Sequence, residues 1–311
     1  MPFPCVICPK CDSEMRQSVE NNILKCETCK TLFPLLDDGF FDLREKGVLQ
    51  ERSLLIQEKP VTYNNAFGDC MFSTFIDSMS DVLDTILVTT AKSVSTMNIL
   101  DIGCGNGYYS RLFKKYRCHY YGLEPSTIPP NRVMSLESIS ESSVTLLHYS
   151  PEKGLPVVDN NFDVALLVAS YDHIPNRIDV LREIVRKIKA EGRLVIIMTN
   201  QDFWLRTILR RILRDPTYGS HDAEHFCEHD PRTLIAEVVS SCKEINRDSI
   251  AVVADFFALP NLGKRFSFLY FSTAFVKHMN RMLCGILRIV YKTLKLSDYG
   301  SSMIVVFQKN G

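Results

Sequence analysis

The chain lacks excess charge, a long apolar run and a leader-like start, and each absence excludes a class of protein. Its 36 lysines and arginines balance 36 aspartates and glutamates. No global field therefore attracts nucleic acid, and contact with phosphates would need a local patch. No apolar stretch approaches the roughly 18 residues that span a bilayer. The N-terminus has no basic segment followed by an apolar one, so we expect no secretion signal and a cytoplasmic location.

The composition is otherwise that of a globular protein. Apolar residues make up 46% of the chain and charged residues 23%, which argues against disorder. At roughly 150 residues per domain, the 311 residues predict about two domains, or one large domain with an appendage.

Cysteine is abundant, and it is clustered at one end. Five of the eleven cysteines lie within the first 29 residues. Clustered cysteines in a chain without a secretion signal bind metal more often than they form disulfides. Two CxxC turns, 8–11 and 26–29, supply the four thiolates of a tetrahedral zinc site, whereas free thiols are the less favoured alternative. We predict structural zinc on Cys8, Cys11, Cys26 and Cys29.

The segment that follows the cysteines predicts a strand, a turn and a second short strand. It reads TLFPLLDDGFFDL over residues 31–43. Residues 8–43 resemble the small zinc ribbon often fused ahead of methyltransferase domains. A module of about 40 residues has too little core to fold unaided, so metal would supply the missing stability. We assign residues 1–44 to this ribbon and residues 45–92 to a linker and N-terminal helices.

A glycine-rich segment predicts a ligand-binding turn between a strand and a helix. Residues 98–110 read NILDIGCGNGYYS, with glycines at 103, 105 and 107. Glycines there let the backbone approach a ligand, and the helix start offers free N–H groups. About 20 residues on, a second predicted strand ends at Glu124, whose carboxylate can accept both hydroxyls of a ribose.

The spacing of these glycines disfavours a dinucleotide. Dinucleotide sites use G-x-G-x-x-G, but Tyr108 stands at the final glycine position. The string ILDIGCGNGYYS resembles the first motif of class I S-adenosylmethionine-dependent methyltransferases, of the ubiquinone and menaquinone methyltransferase-like type. The resemblance implies that the loop holds the methionine part of S-adenosylmethionine. It also implies that Asp101 faces the amino end of the cofactor and that Glu124 holds its ribose.

The resemblance spans about residues 96–200. It continues in LPVVDNNFDVALL at 155–167 and in AEGRLVII at 190–197. It implies an α/β fold with a Rossmann-like, doubly wound, seven-stranded sheet over 93–311 and a helical insertion at about 254–296. Ser150 stands near the position of an acid that contacts adenine in the family. The expected cofactor-binding residues are Asp101, Gly103, Cys104, Gly105, Asn106, Gly107, Glu124 and Ser150.

Two histidines are candidate general bases. His173 follows the predicted fourth strand, and His225 lies in a loop ahead of a predicted helix. Histidine titrates near neutral pH and suits deprotonation of a hydroxyl, although either residue can equally be a polar loop residue. A metal site on His221, His225 and His229 is disfavoured because a helix carrying all three would be stopped at Pro231.

These expectations favour an enzyme with a small-molecule acceptor. We predict methyl transfer from S-adenosylmethionine to oxygen or carbon, because the net charge is zero and the expected insertion is apolar. One alternative is an rRNA guanine methyltransferase, since that family also joins a cysteine-rich zinc module to a DIGCGxGYY loop. In that case the ribbon would recognise RNA. Another alternative is a non-catalytic partner protein that binds the cofactor.

Overall fold

A computed structural model gives the architecture of the two ends and the central sheet. It describes residues 6–18, 23–44, 79–80, 82–88, 96–113, 116, 118–126, 143–174, 176–199 and 242–250, and from 302 to the end. It also describes 208, 211, 278, 282, 285–286, 289–290 and 293–294. His225, residues 45–78 and most of 254–296 lie outside these ranges. The domain boundaries therefore stay predictions.

The described part of the chain holds eleven strands and two α-helices. The strands are β1 Arg16–Ser18, β2 Ile23–Lys25, β3 Leu32–Pro34, β4 Phe41–Asp42, β5 Met97–Ile102, β6 Cys118–Glu124, β7 Val144–His148, β8 Phe162–Val168, β9 Ile188–Thr199, β10 Cys242–Ile250 and β11 Ser302–Lys309. The helices are α1 Ser110–Phe113 and α2 Arg177–Lys187. Short 3-10 helices span Pro151–Lys153 and Tyr171–His173, and residues 79–80 and 82–88 are also helical.

The central sheet has the order β10-β11-β9-β8-β5-β6-β7-β4. Strands β4 to β9 pair in parallel, whereas β11 runs antiparallel to both β9 and β10. Every residue of β8 is buried, as expected for a parallel strand covered on both faces. The predicted Rossmann-like α/β fold is confirmed. The strand order reverses at β5, which lies between β6 and β8, and ligands bind at the carboxyl edge of such a reversal.

The two faces of the sheet are covered by different parts of the chain. Alternate strand residues pack on one face against helix α2 and the N-terminal cysteine module, residues 6–44. The opposite face packs against the helical residues between 79 and 88 and against Phe113 of α1. The buried side chains of the first helical segment are Met79, Val82, Leu83, Ile86 and Leu87.

The cysteine module is joined to the central sheet by backbone pairing as well as by packing. Strands β1 to β3 form a small antiparallel sheet of their own. Strand β4 then pairs in parallel with β7, with Phe41 opposite Leu147, and supplies an eighth strand beyond the seven predicted. At the other end of the module, Ile7 donates its N–H to the Pro156 carbonyl at 2.9 Å. The module therefore shares a hydrophobic core with the sheet.

Helix α2 buries one face against the sheet. Leu181, Ile184 and Val185 are buried, whereas Ile178 is 40% exposed. The helix ends at Lys187, and Ile188 already belongs to β9. Residues 190–192 lie within β9, where the pairing with β8 shifts register between Phe162 and Val164.

Among the described residues, no helix combines the length and the apolar character needed to cross a lipid bilayer.

Candidate cofactor site

The three glycines of the loop after β5 all adopt left-handed backbone angles. The φ angles are +71° at Gly103, +56° at Gly105 and +73° at Gly107, values that residues other than glycine rarely adopt. A Cβ on Gly103 would lie 2.5 Å from the Ser170 Cβ, and one on Gly107 would lie 3.0 Å from a methyl group of Leu146. A Cβ on Gly105 would meet no atom of the described residues within 4 Å. The outer glycines therefore allow close packing, and the central one faces space that a ligand can fill.

Glu124, the last residue of β6, is hydrogen-bonded to this loop. Its Oε2 accepts the N–H of Gly105 and its Oε1 accepts the N–H of Ser126, each at 3.0 Å. The Leu123 carbonyl accepts the Gly103 N–H at 2.8 Å, which fixes the base of the loop. Burial raises the pKa of Glu124, and the two N–H groups oppose that effect. The structure thus brings the glycines and the predicted ribose carboxylate together.

Asp101 lies beneath the loop and is only 1% exposed. The Tyr120 hydroxyl donates to its Oδ2, whereas its Oδ1 has no hydrogen-bond partner among the described residues. Burial raises the pKa of Asp101 to about 7, with a further contribution from the charge of Glu124, while the Tyr120 hydrogen bond lowers it. A buried acceptor without a partner is costly, so a cationic group of a ligand would stabilise it.

The remaining expected cofactor residues differ in what they do. Cys104 is buried, and burial raises the pKa of its thiol. Asn106 Oδ1 accepts the Tyr108 N–H at 3.2 Å, so this side chain supports the turn itself. Ser150 follows β7, and its buried Oγ has no hydrogen-bond partner in the described part of the chain. That unpartnered hydroxyl is available to a ligand.

Ser170 closes the loop from the side of β8, a role that the sequence analysis missed. Its Oγ donates to the Ile102 carbonyl at 2.7 Å, and its Cβ occupies the position beside Gly103. The preceding Ala169 has a φ of +51°. The sequence signal for this role was the pair of small residues, Ala169 and Ser170, directly after β8.

The two candidate bases are placed unequally. His173 is exposed and ends the 3-10 helix that follows β8, on the same carboxyl edge of the sheet as the glycine loop. His225 lies outside the described residues. The structure therefore gives a position for His173 alone, and both roles stay predictions.

The four predicted zinc ligands converge. The sulfur atoms of Cys8, Cys11, Cys26 and Cys29 all lie within 4.8 Å of one another. The Sγ–Sγ distances are 3.6 Å between Cys8 and Cys29 and 3.4 Å between Cys11 and Cys26. Tetrahedral zinc with bonds of about 2.3 Å places its sulfurs about 3.8 Å apart, so the cluster fits such an ion. The hydrogen bond with Thr31 lowers the pKa of Cys29 to about 6, whereas burial raises the pKa of Cys8 to about 12.

Comparison with known families decides the class. A family profile described as a methyltransferase domain matches residues 75–238, slightly more than half of the chain. The chain belongs to this methyltransferase family. The match includes the glycine loop, Glu124 and both candidate bases, and it excludes the cysteine module. The predicted methyltransferase class is therefore confirmed, whereas zinc is supported by the cysteine cluster alone.

Two curated relatives are named for a hydroquinone and for ubiquinone biosynthesis. One is the 2-methyl-6-phytyl-1,4-hydroquinone methyltransferase of Synechocystis sp., 29% identical over 45% of this chain and 46% of that protein. The other is the mitochondrial ubiquinone biosynthesis O-methyltransferase of Schizosaccharomyces pombe, 27% identical over 51% and 58%. The chain therefore spans about half the length of the curated relatives it matches.

Similar solved structures include the phosphoethanolamine N-methyltransferase 2 of Haemonchus contortus in complex with S-adenosyl-L-methionine. That similarity covers 74% of this chain and 52% of the other, at 14% identity and a TM-score of 0.44.

Proposed function

We propose that the protein transfers a methyl group from S-adenosylmethionine to a small-molecule acceptor of quinone or phenol type. The observation that carries this proposal is the cradle of Gly105, Glu124 and Asp101. It combines open space at a left-handed glycine, a carboxylate bound to the loop, and a buried carboxylate oxygen without a described partner. A quinone-type acceptor is supported by the names of two relatives.

Each part of this cradle suits one part of the cofactor. Asp101 would accept hydrogen bonds from the amino group through its Oδ1, and Glu124 would accept the ribose hydroxyls. The Ser150 hydroxyl would contact the adenine ring. When bound, the cofactor supplies a methyl group already activated by a positively charged sulfur. The protein has then to hold the acceptor in line and exclude water, and placement of this kind contributes up to about 7 to 11 kcal/mol.

An acceptor hydroxyl also needs to lose its proton. His173 supports this step because it is exposed at the carboxyl edge of the sheet, where an acceptor would enter. We expect His173→Gln to lower the turnover of a hydroxyl acceptor by about 10²-fold or more while binding of S-adenosylhomocysteine stays unchanged. Single-turnover rates beside calorimetry would check this. An unchanged rate would exclude His173 as the base.

Labelled S-adenosylmethionine tests the proposed function directly. Purified protein would be incubated with a panel of quinols and catechols and, separately, with ribosomal RNA. We expect label in a quinol or catechol and none in RNA. Label in RNA would overturn the small-molecule acceptor. Protein that fails to bind S-adenosylhomocysteine in calorimetry would overturn the cofactor assignment itself.

A further inference from the structure

A buried chain of hydrogen bonds joins the cysteine module to the candidate cofactor site. Asp38 lies in the turn before β4, and His148 is the last residue of β7. His148 Nε2 lies 2.9 Å from Asp38 Oδ2, and His148 Nδ1 lies 2.8 Å from the backbone carbonyl of Glu124. The His148 side chain is fully buried, and that of Asp38 is 7% exposed. Residues 110 positions apart thus meet at the end of β6.

The chemistry of these contacts fixes which atoms carry protons. A backbone carbonyl only accepts hydrogen bonds, so Nδ1 of His148 has to donate to Glu124. The Asp38 carboxyl oxygen then has to share the remaining proton with Nε2. Without a partner at Nε2, the His148 ring would lose the contact that keeps Nδ1 turned towards the Glu124 carbonyl. Asp38 therefore fixes the orientation in which His148 binds Glu124.

Other residues of the cysteine module also contact His148 and the end of β6. The Phe40 ring stacks on the His148 ring, with centroids 4.3 Å apart and planes at 16°. Arg44 is held by Asp42 at 2.7 Å and donates to the Pro125 carbonyl at 3.3 Å. The module thus contacts the Pro125 carbonyl directly and the Glu124 carbonyl through His148, at the point where β6 ends.

The placement of that backbone decides where the Glu124 carboxylate lies. Its two oxygens already accept the N–H groups of Gly105 and Ser126, so a small shift of the backbone would weaken both contacts. We propose that Asp38 is a positioning residue that acts through His148 to hold Glu124 in the geometry that binds a ribose. This inference rests on the proposed cofactor site and adds that the cysteine module helps to build it.

The first experiment compares two neighbouring aspartates in the full-length, zinc-loaded protein. Asp38→Leu keeps the approximate side-chain shape but offers no hydrogen-bond partner to Nε2, whereas Asp37→Leu changes an exposed residue of the same turn. We expect Asp38→Leu to weaken S-adenosylhomocysteine binding about tenfold in calorimetry and Asp37→Leu to leave it unchanged. Zinc content and thermal unfolding would be measured alongside. Equal affinity in the two variants would overturn the inference.

Two substitutions of His148 separate positioning from packing. The amide nitrogen of asparagine stands near the place of Nδ1, and that of glutamine near the place of Nε2. His148→Asn therefore keeps a donor for Glu124, whereas His148→Gln keeps one for Asp38. We expect His148→Asn to bind S-adenosylhomocysteine several-fold more tightly than His148→Gln, about fivefold. The reverse order would contradict the inference, and so would equal affinities, even if Asp38→Leu failed to fold.

A double-mutant cycle tests whether Asp38 acts through Glu124. In a Glu124→Ala background, adding Asp38→Leu should change the affinity by less than about twofold, because the positioned carboxylate is already absent. A further tenfold loss would show that Asp38 acts by another route. That result would overturn this inference but leave the proposed function standing. Wild-type protein that does not bind S-adenosylhomocysteine would overturn the proposed function and this inference together.

Discussion

The two walls of the candidate cofactor site are built in different ways. The glycine wall, residues 101–107, is a single loop whose conformation is set by its own glycines and by Leu123 and Ser170. The acidic wall at Glu124 is held from behind by His148 and, through it, by Asp38, which lies 110 residues earlier in the chain than His148. The groups expected to touch the ligand thus lie close together in the sequence. The position of Glu124, in contrast, depends on residues far away in the chain.

The difference predicts two kinds of failure. Substitutions in the glycine wall should act by filling space or straining the backbone, and they should be severe. Substitutions of Asp38 or His148, behind the acidic wall, should shift Glu124 without removing any group that touches the ligand. Their effects on ligand affinity should therefore be milder. The measurements below run from the largest expected effect to the smallest.

The largest effect is expected from Gly105→Asp in the glycine wall. The substitution adds left-handed strain of about 1–2 kcal/mol and places a second carboxylate beside Glu124, in the space left for the ligand. Affinity for S-adenosylhomocysteine should fall by roughly 100-fold or more. Calorimetry would measure this, with Gly285→Asp as the control because Gly285 is exposed and lies outside the glycine loop. Near-normal binding by Gly105→Asp would place the ligand elsewhere.

A smaller loss is expected from Glu124→Ala in the acidic wall. The variant removes the proposed ribose acceptor and releases the N–H of Gly105, so binding should weaken by roughly thirtyfold. Asp179→Ala, which removes an exposed carboxylate in α2, serves as the control and should have no effect. If Glu124→Ala binds as the wild type does, the ribose is not held by this carboxylate.

Removal of zinc should act on the acidic wall alone. We expect elemental analysis to find one zinc per chain, and we expect chelation to unfold the cysteine module and release its hold on His148 and Pro125. Affinity for S-adenosylhomocysteine should then fall about tenfold and recover when zinc is returned. Protein that binds the ligand equally well without metal would show that the module does not support the site. A preparation that never contained zinc would remove the metal centre.

The smallest effect is expected from pH, through Asp101. Its pKa is raised to about 7, so the carboxylate is ionised above that pH and protonated below it. Pairing with the ligand's ammonium requires the ionised form, so affinity should fall as the pH drops. The loss between pH 7.5 and pH 6 should be about eightfold. Burial also raises the pKa of Glu124, so protonation of this carboxyl would likewise weaken ligand binding as the pH falls. The affinity of Asp101→Asn for the ligand should depend less on pH. Identical affinity of the wild type at pH 7.5 and pH 6 would contradict the pairing of Asp101 with the ligand's ammonium.

The sequence was informative wherever neighbouring residues carry the chemistry. The pattern DIGCGNG predicts the strand, the turn and the left-handed glycines, because few other residues tolerate such backbone angles. The paired CxxC turns predict a four-sulfur cluster because each turn presents two thiols together. The order of strands and helices predicts the parallel sheet.

Contacts between distant segments were the part that could not be predicted. Nothing local indicates that Phe41 and Asp42 pair with β7, or that Asp38 meets His148, because both depend on how the module docks. Ser170 was also missed, since its role comes from the 2.5 Å approach to Gly103 in the folded chain. A single sequence reports spacing along the chain and carries no direct signal of such pairings.

The two-residue strand β4 has a practical consequence for handling this protein. It covers the outer side of β7 and so occupies backbone N–H and C=O groups that would otherwise face solvent. A shortened chain that begins after residue 44 would leave that edge open, and open edges recruit strands from other molecules. Attempts to isolate the methyltransferase region by trimming its N-terminus should therefore yield aggregates.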